Sequence, residues 1–176
     1  MGRVIGIYGV IGGIIVAIGM LAGMTLVPEG GIAGMVVGYL TMLIALSMVF
    51  VGVKHYRDTT KGGVVRFWPA CGIGLGIALV AGLFYVATWE LYEYLTNYTF
   101  VDKYAASALE SMRAAGKPAP EIAKMASEMA AFKLQYANPL TRMAMTFSEI
   151  APVGLLVSVV SAALLRKTSF MPARGR

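Results

Sequence analysis

The chain has 176 residues, 58% of them hydrophobic and 14% charged, with a formal charge of +6. Charged residues in soluble domains run near a quarter. Here the apolar residues fall in four blocks, each long enough to cross a bilayer core of roughly 30 Å, so a soluble globular domain is set aside. The positive balance gathers at the ends of those blocks, which reads as membrane topology rather than nucleic-acid binding.

The expected class is an all-α membrane protein, a single domain over 1–176 with four transmembrane helices. The first span is about 4–26. It is too long for the core of a secretory signal, so it is expected to stay as a helix. VPEGG, 27–31, breaks the chain with Pro28 and two glycines. The second span is about 32–53, and a basic loop, KHYRDTTKGGVVR, follows at 54–66. The third span is about 67–95. It holds Cys71, the single cysteine, so no disulfide within the chain and no cysteine-built metal site are expected. A polar, amphipathic segment covers 96–143, and the fourth span is about 146–165.

Orientation follows from the short connections. The loop 54–66 carries Lys54, Arg57, Lys61 and Arg66, and the tail carries Arg166, Lys167, Arg174 and Arg176. The turn 27–31 carries only Glu29. Basic loops stay cytoplasmic, so both termini are expected inside and 96–143 outside. Within the outer segment, VDKYAASALESMRAAG reads as a short helix and KPAP, 117–120, as a break. In the next helix Ile122, Met125, Met129, Phe132 and Tyr136 form one apolar stripe, opposite Glu121, Lys124, Glu128 and Lys133. This extracytoplasmic hairpin between the third and fourth spans could cap the bundle, lie in the outer lipid interface, or offer the stripe to a partner.

VGVKHYRDTTKGGVVRFWPA, GLFYVATWE and FKLQYANPLTRMAMTFSEIAPVGLLVSVVSAALLR resemble the bacterial membrane family of unknown function, DUF four-one-nine-nine. The resemblance covers nearly the whole chain. It implies a small four-span inner-membrane protein and carries no activity, substrate or cofactor.

Few polar residues need explaining. Glu90 lies 24 residues past Arg66, roughly 36 Å along a helix, so it reaches the far interface and Glu93 lies beyond it. Trp89, Tyr92, Tyr94 and Tyr98 fit an aromatic belt there. Glu149 lies 17 residues before Arg166, just within the outer edge of the core. Either Ser148 caps the last helix, with Glu149 and Pro152 in its first turn, or the helix starts near Leu140 and Pro152 kinks it toward a polar cavity. Arg142 is near enough in sequence to pair with one of these carboxylates. The candidate outer polar site is therefore Glu90, Glu93, Arg142 and Glu149. The candidate headgroup-binding set is Lys54, Arg57, Lys61 and Arg66, which would meet anionic lipid by charge attraction.

His55 is the single histidine, and no nucleophile–histidine pair, phosphate loop or metal spacing is present in the sequence. No cofactor is expected, and no catalytic residue is assigned. Gly9 and Gly13, Gly19 and Gly23, Gly34 and Gly38, and Gly72 and Gly76 recur at four-residue steps. They allow close packing within the bundle or a homo-oligomer. The leading expectation is a non-catalytic accessory or scaffold subunit for an envelope protein partner or membrane lipids. A small proton- or solute-coupled transporter and a headgroup-modifying enzyme are the alternatives.

Overall fold

A computed structural model describes residues 1–26 and 32–173. The expected turn at 27–31 and the end of the basic tail lie outside the described residues. Among the described residues six helices run in order: α1 Gly2–Leu26, α2 Ile32–Thr60, α3 Phe67–Leu95, α4 Phe100–Ala114, α5 Ala119–Tyr136 and α6 Pro139–Leu165. Among the described residues four of them, α1, α2, α3 and α6, are long and apolar enough to cross a membrane. That is the pattern of a multi-pass membrane protein. Their outward faces carry Ile18, Ile44, Leu83 and Leu156, each more than half exposed, as suits contact with lipid rather than water.

Two boundaries differ from the sequence expectation. The second helix runs to Thr60 instead of ending near residue 53, so most of the basic loop is helical. Lys54 and Asp58 pair one turn apart, and Arg57 sits in the last turn where a cation suits the helix dipole. Gly62 and Gly63, at φ +62° and +91°, then close the end, with Gly63 N donating to Arg57 O at 2.9 Å. The last helix starts at Pro139, near the Leu140 start that is one of the two expected alternatives and ahead of the apolar span at 146. Its cap is Asn138, whose side-chain oxygen accepts from Leu140 N at 3.0 Å and Thr141 N at 3.4 Å. Ser148 is therefore no cap. It lies inside the helix with its hydroxyl donating to Met145 O, and Pro152 is also interior.

α3 packs against α1 on one side and α6 on the other, and α2 packs against all three. Val16, Leu46, Val49, Ile73, Ile77 and Ile150 are among the fully buried residues that fill the centre. Glycines set the closeness of the α1 seams. A Cβ on Gly9 would lie 2.6 Å from the Val80 side chain, and one on Gly13 would strike Phe84. Gly76 faces Ile5 and Gly19 faces Thr41 in the same way. These glycines are used within the chain, whereas Gly34, Gly38 and Gly72 face open space.

The ring of Tyr8 lies 5.6 Å from that of His55, and Arg57 Nη1 donates to Phe170 O at 2.9 Å. The start of α1, the end of α2 and the end of α6 thus meet at one end of the bundle. α4 and α5 form the expected hairpin at the other end. They pack on each other, and α5 also packs against α6. The α5 stripe is half-buried along its length, and Glu121, Lys124, Glu128 and Lys133 are exposed. The stripe is thus spent partly on α4, and the hairpin stands on the α3–α6 side of the bundle.

Candidate functional site

The end of α3 and the start of α6 converge at the base of the hairpin. Arg142, 4% exposed, takes both carboxylate oxygens of Glu90: Nε donates to Oε1 at 2.8 Å and Nη2 to Oε2 at 2.5 Å. Nη1 also donates to Tyr136 O at 3.3 Å. The guanidinium lies 4.9 Å from the centre of the Tyr98 ring and 5.7 Å from that of Tyr136. One side chain therefore ties α3, α5, α6 and the α3–α4 turn together. A two-pronged arginine–carboxylate pair fixes direction as well as distance.

Tyr98 reaches this position through an uncommon backbone. Asn97 and Tyr98 lie at φ +55° and +56°, a region that a bulky residue seldom adopts. Tyr98 N donates to Glu93 O at 2.8 Å, which closes the end of α3. The strain is offset by the ring's place over the Arg142 guanidinium.

Tyr136 is the second hub. Trp89 Nε1 donates to its hydroxyl at 2.5 Å, and the Trp89 ring stands edge-on to Phe100 at 4.8 Å. Burial pushes the Tyr136 phenol above the usual tyrosine range, and the adjacent Glu93 carboxylate pushes the same way. The phenol stays neutral and polar contacts hold it in place.

Glu93 differs from its neighbours. It is 1% exposed, and its Oε1 has no hydrogen-bond partner. Glu90 is matched by Arg142, and Asp102 is matched by Lys133 at 2.5 Å across the hairpin. Among the described residues Glu93 forms no ion pair and accepts from the Tyr136 phenol instead. It also sits in the last turn of α3, the end of a helix dipole that disfavours an anion. A cavity of about 250 Å³ opens beside the cluster, lined by Tyr98, Val101, Lys133, Tyr136, Pro139 and Arg142 among others.

Glu149 stands apart. It is exposed on α6 and accepts from the Tyr85 hydroxyl at 2.8 Å. It lies seven residues beyond Arg142, roughly 10 Å further along the helix. The structure thus brings together Glu90, Glu93 and Arg142 from the expected outer set and leaves Glu149 about two turns deeper.

At the other end the four expected cations divide. Arg57 is fully buried. Its Nε donates to Asp58 Oδ1 at 2.7 Å, Nη1 to Phe170 O, and Nη2 to Met171 O at 2.5 Å. It clasps the segment after α6 onto the bundle, so its donors are not offered outward. Lys54 is half-buried and paired with Asp58 at 2.5 Å, whereas Lys61 and Arg66 are exposed. Cys71 is buried as a free thiol. Among the described residues no group of three His, Cys, Asp or Glu side chains could hold a metal ion.

Sequence reasoning missed Tyr136 and Tyr85 as polar partners, and Asp58 as the counter-ion of Lys54 and Arg57. By spacing alone Tyr136 falls within an apolar stripe. Asp58 had a legible signal, since it lies four residues after Lys54 on a helix.

The match to known sequences covers residues 7–167 and is to the family described as "Protein of unknown function (DUF4199)", so the chain belongs to that family. No curated protein and no solved structure matches.

Proposed function

We propose that this member of a family of unknown function is a non-catalytic subunit of the bacterial inner membrane. In this reading both termini are cytoplasmic, and the α4–α5 hairpin is held outside as a fixed platform for an envelope partner or lipid. The observation that carries it is the Arg142 side chain, which pairs with Glu90 between α6 and α3 and donates to Tyr136 O on α5, tying the base of the hairpin to the bundle. The basic residues at the opposite end support the orientation. Site-specific photo-crosslinking from Leu134, 79% exposed on α5, tests it in intact cells. A discrete adduct that reappears from neighbouring hairpin positions supports the platform. Adducts absent from every hairpin position, with lipid cross-links absent too, contradict it.

A small proton-coupled transporter is the second reading, and buried Glu93 with its unpartnered oxygen is the observation that favours it. Against it, the bundle is filled at mid-depth by Leu46, Val49, Ile73 and Ile77, where transporters place their sites. Proton flux into proteoliposomes that disappears with Glu93→Gln would favour transport. Equal flux in the two proteins removes that reading.

A further inference from the structure

We infer that the groove between α1 and α2 at the basic end is a binding site for the phosphate group of an anionic phospholipid. The groove is a cavity of about 330 Å³ lined by Tyr8, Val51, Lys54, His55, Asp58 and Thr59. It goes beyond the platform proposal and rests only on the chain's spanning a membrane.

The charge there is positive even where a carboxylate lines the wall. Asp58 is claimed by two cations, Lys54 Nζ on one oxygen and Arg57 Nε on the other, so the trio carries one net positive charge. An ammonium has three N–H donors, and Asp58 accepts from Lys54 Nζ through one oxygen, which leaves Lys54 donors for a second acceptor. His55 is exposed beside it, with its ring against Tyr8. Around this end Arg3, Lys61, Arg66, Arg166 and Lys167 are all exposed. Asp58 is the one carboxylate near them among the described residues. Such a surface concentrates anions. Arg57 contributes through Asp58 and not by contact, because its own donors hold the chain after α6.

The surroundings choose a lipid over free phosphate. Val51, 40% exposed, forms part of the wall. Further along the same face Ile11 on α1, three residues past Tyr8, and Ile44 on α2, seven before Val51, are bare apolar side chains. A headgroup phosphate at Lys54 and His55 would leave its acyl chains to run down that face. Inorganic phosphate would gain nothing from it.

The test is the apparent affinity of the purified protein, in mild detergent, for acyl-labelled phosphatidylglycerol. Lys54→Gln with His55→Gln is the groove variant, and Lys61→Gln with Arg66→Gln removes two cations outside the groove. Thermal melting of each confirms that it folds. The groove variant should lose affinity by about fivefold or more, since one cation near a lipid surface contributes about that factor. The outer variant should stay within about twofold. Equal losses in the two double variants would reduce the site to diffuse attraction and overturn it. Displacement of the labelled lipid by millimolar inorganic phosphate would overturn the lipid assignment.

Discussion

Arg142 on α6 holds both carboxylate oxygens of Glu90 on α3, 52 residues away in sequence. With 5% and 17% of the side chains exposed, the pair is largely out of solvent. Removing one partner of such a pair leaves a stranded charge and costs about 3–5 kcal/mol when fully buried. The slight exposure of Glu90 lowers that figure. Arg142→Gln and Glu90→Gln should each lower the melting temperature in detergent. The double variant should recover part of the loss, because no charge is then stranded. Additive losses in the double variant would show that the two side chains do not act as a pair.

Glu93→Gln should have the opposite effect. The wild-type carboxylate has one oxygen with no partner, and an unsatisfied buried polar group costs about 1–3 kcal/mol, more if charged. An amide of the same shape removes the charge. Gln keeps an oxygen that can accept from the Tyr136 phenol, so the variant is expected to melt higher than wild type. A lower melting temperature would mean that the carboxylate is a structural acceptor.

Tyr136 makes a prediction in alkali. Burial raises its phenol above the ordinary value of 10.0. The neutral form is therefore the one that the fold stabilises. That stability is fully present below the ordinary value and is lost as pH rises through the higher folded value. Trp89 fluorescence should stay unchanged between neutral pH and about pH 10, then change as the phenol ionises and the hairpin base loosens. Tyr136→Phe should abolish that step. A transition near the ordinary tyrosine value in the wild type would contradict the buried position.

Arg57→Met should free the segment after α6. Its side chain supplies hydrogen bonds to Phe170 and Met171 carbonyls, and Phe170 packs edge-on to Phe50 at 6.4 Å. Limited trypsin digestion should then cut after Lys167 several times faster than in the wild type. Arg57→Lys should fall between the two, since an ammonium cannot reproduce the planar fork. Unchanged cleavage would show that Phe170 alone secures the segment.

Much of the fold was legible because membrane helices are written in long apolar runs. Apolar runs are shorter than the second and last helices for one reason. Hydropathy marks where lipid ends, and a helix goes on until a backbone signal stops or starts it. Gly62 and Gly63 stop α2, while Asn138 and Pro139 start α6. Glu90 and Arg142 were legible as neighbours in depth, but their pairing across two helices was not. Tyr136 was hidden because a tyrosine at stripe spacing looks apolar until its hydroxyl meets Trp89. Arg57 looked like one more loop cation because burial of a single arginine depends on a tail packing that no spacing encodes.

The central claim is that a four-span bundle holds the α4–α5 hairpin outside the cell membrane. Labelling with a membrane-impermeant maleimide tests it most directly. In a Cys71→Ala background, Leu134→Cys reports on the hairpin and Lys61→Cys on the basic end, both at exposed positions. The account predicts that the hairpin site labels in intact cells and the basic-end site only after permeabilisation. The reverse pattern, or equal labelling of both in intact cells, would contradict it.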